Sequence, residues 1–219
     1  MKYRLAIFDL DGTILNTLED LLDSCNEVCR RHGFPLHNME EYRFFVGNGI
    51  PKMIERAIPK DADEKTFKLC LAEYIEYYAE HSAIKTRPYD GMVELLMALK
   101  NKGVLTAVNS NKVETAAVDL CDRYFPGLFD VVTGNVIGNP VKPDPFGVYR
   151  ILEQVGMTKE EAASGGAVFI GDSDVDVLTG KNAGLDVIGC DWGFRGEKFL
   201  REHGAQTVVK TPAEILKYF

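Results

Sequence analysis

Two carboxylates, Asp9 and Asp11, close the apolar run Leu5-Ala6-Ile7-Phe8 and are followed at once by Gly12-Thr13. On an extended chain residues i and i+2 point the same way, so both acids aim at one place. The glycine lets the backbone turn sharply beneath them. Three more polar clusters follow apolar runs: Asn109-Ser110-Asn111-Lys112, Val141-Lys142-Pro143-Asp144-Pro145 and Gly171-Asp172-Ser173-Asp174-Val175-Asp176. Asp9, Asp11 and Asp172 held close together would repel one another unless a cation sits among them. An oxygen-only ligand set suits Mg²⁺, and the clusters contain no His or Cys to favour zinc. Ser110 and Lys142 add a hydroxyl and an ammonium, the groups a phosphoryl moiety requires. The best nucleophile on offer is a carboxylate, ionised at neutral pH without help.

These groups need elements to position them. Strands are expected at Leu5–Phe8, Val104–Val108, Val131–Val132, Ala167–Ile170, Asp186–Gly189 and Thr207–Val209. Continuous apolar runs of this kind indicate strands covered on both faces, as in parallel sheets. Helical patterns lie between them, at about Gly91–Lys102, Val113–Arg123, Phe146–Val155, Val175–Ala183 and Glu197–His203. The alternation predicts an α/β fold with a doubly wound, mostly parallel sheet. Ligands bind such sheets beyond the carboxyl ends of the strands, which puts all four clusters on one edge.

The stretch from Leu18 to Thr86 breaks the alternation. Leu18, Leu21, Leu22, Cys25 and Val28 recur at helical spacing, as do Phe67, Cys70, Leu71, Tyr74, Ile75 and Tyr78. Gly33-Phe34-Pro35 marks a helix end. The expected organisation is an α/β core from residues 1–15 and 88–219, with an inserted α-helical domain at 16–87. Arg87-Pro88-Tyr89-Asp90-Gly91 is its return hinge.

Bulk composition narrows the class. The 219 residues carry a formal net charge of −8, which disfavours non-specific binding to nucleic acid or anionic membranes. No apolar stretch approaches the ~20 residues of a membrane span, and no signal peptide is expected. The five cysteines are odd in number and form no C-x-x-C pair, which suits reduced thiols in a cytoplasmic protein.

Phe8-Asp9-Leu10-Asp11-Gly12-Thr13, then Ser110, then Lys142, then Gly171-Asp172-Ser173-Asp174-Val175-Asp176 resemble, in order and spacing, the four motifs of the haloacid dehalogenase superfamily. Asn16-Thr17-Leu18-Glu19-Asp20-Leu21, Phe45-Val46-Gly47-Asn48-Gly49-Ile50 and Pro88-Tyr89-Asp90-Gly91 resemble its phosphoglycolate phosphatase group. Many relatives have an acid and a serine where this chain has Asn16-Thr17. The resemblance covers essentially the whole chain. It implies a Rossmann-like core with an α-helical cap.

It also implies roles. Asp9 resembles the nucleophile that becomes an aspartyl-phosphate, and Asp11 the general acid-base. Gly12, Ser110, Asn111 and Lys142 would join Asp9 in holding the phosphoryl group. Mg²⁺ would be bound by Asp9, Asp172 and the backbone carbonyl of Asp11, with Asp176 tethering Lys142 or a metal-bound water. Gly47, Asn48 and Gly49 would meet the substrate from the cap, with Arg43 and Lys52 as nearby cations. Dehalogenases do not keep an acid at the position of Asp11, so its presence favours phosphate esters. The resemblance thus implies a Mg²⁺-dependent phosphatase of a small phosphorylated metabolite, 2-phosphoglycolate first, acting as a monomer or homodimer. A pyrophosphatase, a sugar-phosphate or nucleotide phosphatase and a phosphomutase are the enzymatic alternatives. A phosphate-binding regulatory protein is the alternative outside enzymes. Plainer readings stand beside these: Ser110 as a helix N-cap, Asp174 as a first-turn acid, Asp176 as a surface acid, Trp192 as sheet-edge packing.

Overall fold

The computed structural model describes residues 3–219. The chain divides into two compact units. One runs through Leu15 and resumes from Pro88 to Phe219, and the other is Asn16–Arg87. In chain order the strands are β1 (Leu5–Phe8), β2 (Leu15–Asn16), β3 (Arg87–Pro88), β4 (Leu105–Val113), β5 (Val131–Asn135), β6 (Ala167–Gly171), β7 (Asp186–Cys190) and β8 (Thr207–Val209). Among the described residues no helix is long and apolar enough to cross a membrane.

In the first unit a six-stranded sheet has the order β5-β4-β1-β6-β7-β8, and every neighbouring pair is parallel. Helices flank it, as the alternating pattern predicts: Met92–Asn101, Glu114–Tyr124, Phe146–Val155, Asp174–Asn182 and Glu197–Glu202 among them. β1 lies between β4 and β6, with Phe8 opposite both Val108 and Ile170. Successive strands run outward from β1 on either side, so the strand order reverses there and a crevice opens beyond its carboxyl end. All four residues of β1 are fully buried. Leu5 and Ile7 pack with Ala107, Ile151 and Phe169 in one apolar cluster. Burying side chains of that size contributes about 1.5–3 kcal/mol each, which anchors the strand carrying the two acids.

β4 departs from expectation. It does not stop at Val108 but runs on to Val113, taking Asn109-Ser110-Asn111-Lys112 into extended backbone. The cause is pairing with β5, which resumes past an irregularity with Val113 opposite Asn135. A polar tetrad after an apolar run reads as a strand end, yet backbone pairing does not depend on side-chain polarity. The following helix begins at Glu114 with Val113 as its cap residue, so Ser110 is not an N-cap.

The second unit contains the helices Leu18–Arg31, Met39–Tyr42, Ile50–Ala57 and Glu64–His81. Leu18, Leu21, Leu22, Cys25, Val28 and Cys29 are buried along the first. In the last, only Cys70, Tyr74 and Tyr78 are buried, while Ile75 is exposed. The inward stripe there is a strict i, i+4 row. Asp20 is buried, and its carboxylate accepts the backbone N–H groups of Lys85 (3.0 Å) and Thr86 (2.7 Å). One acid in the first helix thus ties down the segment by which the chain leaves the unit. β2 and β3 pair with each other. All five cysteines are free and buried.

Candidate active site

The turn after β1 is built on a single carbonyl. Leu10 O accepts the N–H groups of Thr13 (3.3 Å), Ile14 (3.1 Å) and Leu15 (3.1 Å), and the N–H of Asp9 still reaches Ile170 O at 2.8 Å. Gly12 has φ +92°, a left-handed conformation, and a Cβ there would stand 2.5 Å from Oδ2 of Asp172. Only glycine meets both conditions. The next residue, Thr13, donates its hydroxyl to Oδ1 of Asp172 at 3.1 Å. The first motif therefore packs directly on the fourth.

Asp172 follows β6 and is almost wholly buried. Its Oδ2 accepts the backbone N–H of Phe194 at 2.7 Å. A side chain at Gly193 would collide with Asp172 itself. The indole of Trp192 donates to the carbonyl of Thr13 at 3.0 Å. Trp192-Gly193-Phe194 thus cradles Asp172 and the Asp9 turn. Trp192 is a buttress of the site, not merely packing at the sheet edge. Ser173 and Asp176 form the capping box of the helix Asp174–Asn182. Asp176 is fully buried, which overturns its reading as a surface acid.

Lys142 joins these parts. Its ammonium donates to Oδ1 of Asp9 and to Oδ1 of Asp176, at 2.7 Å each. The other oxygen of Asp176 accepts from Ser173 Oγ (2.6 Å), Ser173 N (3.0 Å) and Asp172 N (3.2 Å). Lys142 is held from behind by Asn111, whose amide takes the Lys142 N–H at 2.8 Å and donates to its carbonyl at 3.1 Å. Ser110 is buried beside them, and its hydroxyl accepts the N–H of Lys112 at 3.2 Å. Lys112 Nζ lies 3.2 Å from Oδ1 of Asp11, and both side chains are largely buried.

Burial dominates the electrostatics. It lifts Asp9 well above the usual carboxylate range. The charges of Asp176 and Asp172 add to the rise, and Lys142 opposes it. Burial and the charge of Asp176 lift Asp172 to about 7. Burial pulls Lys142 down, but Asp176 and Asp9 outweigh it and hold the ammonium above its ordinary value. Asp9, Asp172 and Asp176 each place one carboxylate oxygen within 4.8 Å of the others. Three buried acids around one ammonium leave net negative charge in a low-dielectric place, which a divalent cation relieves. The donors are all oxygen, as Mg²⁺ prefers. Asp176 spends one oxygen on the Lys142 ammonium and the other on three donors, whereas each oxygen of Asp172 takes a single neutral donor and Asp9 meets Lys142 through Oδ1, so Asp9 and Asp172 are the carboxylates suited to an ion, with the Asp11 carbonyl in the same turn. The residues fit the metal.

A family model described as haloacid dehalogenase-like hydrolase matches residues 6–190. The chain belongs to that family. This hydrolase is 30% identical over 222 residues to a phosphoglycolate phosphatase of Thiobacillus denitrificans, covering 98% of this chain and 94% of the relative. It is 28% identical over 219 residues to an N-acetylmuramic acid 6-phosphate phosphatase of Pseudomonas aeruginosa, covering 99% and 94%. Its structure superposes on the crystal structure of a phosphoglycolate phosphatase-like protein from Lactobacillus delbrueckii subsp. bulgaricus with a TM-score of 0.92 at 33% identity, covering 98% and 97%. The hydrolase is thus an enzyme of phosphoglycolate phosphatase-like type.

The structure joins Asp9, Lys142, Asp172 and Asp176 through direct contacts, and brings Gly12 against Asp172. Asn111 is turned to the backbone of Lys142. Gly47, Asn48 and Gly49 lie in the helical unit, where Asn48 Oδ1 accepts from Arg56 Nη2 at 2.8 Å. Arg56 also donates to Phe45 O at 2.8 Å, so it organises this loop. Arg43 lies over the ring of Phe44, and Lys52 pairs with Glu55 at 2.6 Å. Sequence reasoning assigned no part to Lys112, Thr13, Phe194 or Arg56. Lys112 alone left a local signal, an ammonium two residues beyond Ser110. The others act through partners distant in sequence or through backbone groups.

Proposed function

We propose that this hydrolase cleaves a small phosphate monoester, 2-phosphoglycolate, by Mg²⁺-dependent transfer of the phosphoryl group to Asp9. The observation that carries the reading is the Lys142 ammonium held 2.7 Å from both Asp9 and Asp176, with Asp172 buried alongside. A carboxylate so placed is aimed by its cation, and phosphoryl transfer needs mainly positioning and charge stabilisation. Asp9 attacks phosphorus as the bond to the ester oxygen breaks, giving an acyl-phosphate on Asp9. Asp11 gives its proton to the departing alkoxide. It then takes a proton from water as that water attacks the acyl-phosphate, releasing inorganic phosphate and restoring Asp9. Lys142 and Ser110 hold phosphoryl oxygens throughout. When bound by Asp9, Asp172 and the Asp11 carbonyl, Mg²⁺ supplies positive charge to the phosphoryl oxygens.

In this reading the helical unit acts as the cap, with Gly47, Asn48 and Gly49 contributing to leaving-group contact. The substrate assignment is supported by the names of the relatives. Five buried, free cysteines suit a reducing cytoplasm. The test is phosphate release across 2-phosphoglycolate, pyrophosphate, nucleotides and sugar phosphates, with Asp9→Asn and excess chelator as controls. The reading expects 2-phosphoglycolate to lead, and both controls to be inactive with the fold retained. Wild-type rates in Asp9→Asn overturn the nucleophile. Undiminished activity in chelator overturns the metal.

A further inference from the structure

One pocket of the helical unit plays no part in the chemistry just described. The loop ahead of the helix Ile50–Ala57, that helix, the turn after it and the start of the helix Glu64–His81 enclose about 600 Å³. Cavities of that size take small organic molecules. Phe45, Ile58, Pro59 and Phe67 supply apolar walls. Phe45 is braced by edge-on ring contacts with His37 and Tyr42, at centroid distances of 5.0 Å and 5.6 Å. Lys52, Arg56 and Lys60 also line the pocket, against a single acid, Glu55. Lys52 and Glu55 neutralise each other at 2.6 Å. Arg56 and Lys60 remain as net positive charge, in a chain whose formal net charge is −8. Asp61 and Asp63 follow in sequence but do not line the pocket, and Asp63 accepts the N–H of Thr66 at 2.8 Å. Lys60 makes no hydrogen bond or ion pair among the described residues. Arg56 spends Nη1 on the carbonyls of Phe44 (3.4 Å) and Phe45 (2.8 Å), and one N–H of Nη2 on Asn48 Oδ1. Its Nε–H and the second N–H of Nη2 have no partner among the described residues. Spare guanidinium N–H groups beside a free ammonium are the donors that a carboxylate takes. The apolar walls set the rest of the occupant.

We propose that this pocket binds a small carboxylate with an aromatic or branched apolar body, held by Lys60 and Arg56, and that the occupant acts on the Phe45–Gly49 loop through Arg56. The second half follows from the first. Arg56 is the group that ties the carbonyls of Phe44 and Phe45 and the side chain of Asn48 together. A carboxylate on its spare N–H groups competes for the orientation of the same planar guanidinium. Every residue involved belongs to the helical unit. The test reads no catalysis, so its failure leaves the phosphatase reading untouched.

The test titrates the full chain with 3-phenylpropionate and, separately, with its neutral amide, following backbone amide signals by NMR. Wild type, Lys60→Glu and Ala62→Phe are compared. Lys60 is exposed, so its reversal leaves the fold intact, and a phenyl group at Ala62 fills the pocket. Saturable shifts should centre on Ile58, Lys60 and Phe67 and extend to Asn48 and Gly49, with a dissociation constant of about a millimolar or below. The neutral amide and Lys60→Glu should each bind about tenfold more weakly, since reversing a rim charge turns an attraction into a repulsion. Ala62→Phe should abolish the shifts. Four results overturn the site: no saturable shift, shifts centred outside the pocket, equal binding of acid and amide, or wild-type affinity in Lys60→Glu. Saturable shifts in the pocket that leave Asn48 and Gly49 unmoved overturn the action on the loop.

Discussion

Replacing Asp176 by Asn removes one charge and one acceptor from the most connected carboxylate of the site. Its two oxygens face different demands: one takes the Lys142 ammonium at 2.7 Å, and the other takes Ser173 Oγ, Ser173 N and Asp172 N. An amide has a single oxygen, so one side must meet an NH₂ group. Turning that NH₂ toward Ser173 opposes it to two backbone donors. Turning it toward Lys142 opposes it to an ammonium, and this is the smaller loss. The bond forfeited is to a charged group and is worth about 1.5–3 kcal/mol. Some is returned, since the charge of Asp176 also repels Asp9 and Asp172. The net expectation is a loss of about 1–3 kcal/mol, below the cost of stripping a buried ion of its whole partner set, because Lys142 keeps Asp9. Urea unfolding of Asp176→Asn and wild type in chelator at neutral pH measures it, with an unchanged m-value as the sign that both unfold alike. A variant as stable as wild type, or more stable, would refute the reasoning. It would mean that repulsion among the three acids outweighs the tether.

Other consequences follow from the same contacts. Asp172 is lifted to about 7 and Asp9 moves in the same direction, so the folded, metal-free protein retains protons that the unfolded chain releases near pH 4. Stability from these groups is present below about pH 4 and is lost as pH rises through 7, by up to about 1.4 kcal/mol per pH unit for each group. Mg²⁺ should therefore raise the melting temperature more at about pH 8 than at about pH 5, and equal shifts would contradict this. Asn111→Ala removes both bonds that hold the Lys142 backbone. It should lower kcat about ten- to a hundredfold, since small misplacements near the chemistry carry costs of that order; steady-state rates within twofold of wild type would be evidence against the clamp. Gly12→Ala forces a left-handed alanine whose Cβ meets Asp172 at 2.5 Å. It should cost about 1–3 kcal/mol in unfolding experiments and weaken Mg²⁺ binding in a calorimetric titration.

How much of the site could be read from the chain depends on the range over which each part acts. Asp9 and Asp11 are legible because a two-residue spacing on a strand aims both side chains the same way, whatever surrounds them. Lys142 and Asp172 are legible because each stands in a compact polar cluster at the start of a helical pattern. β1 and β6 are legible because every residue in them is buried, which demands an uninterrupted apolar run. The end of β4 was not, because polar residues conceal a backbone that keeps pairing with β5. The exposed Ile75 was not, because a stripe of apolar residues does not say how wide a face will be covered.

By itself the sequence determined the strand-end chemistry: which carboxylates, which ammonium and which hydroxyl collect at one edge of a parallel sheet. Local chain geometry settles that, and it requires no knowledge of what packs where. Only the tertiary structure decided which partner each group takes. Asn111 clamps the backbone of Lys142, Asp176 is buried as the anchor of Lys142, and Trp192 supports a turn 179 residues earlier. Lys112 meets Asp11 for the same reason. Those choices are made by the register between strands and by burial, which strips the groups of water and leaves each to whatever donor or acceptor the fold sets within reach.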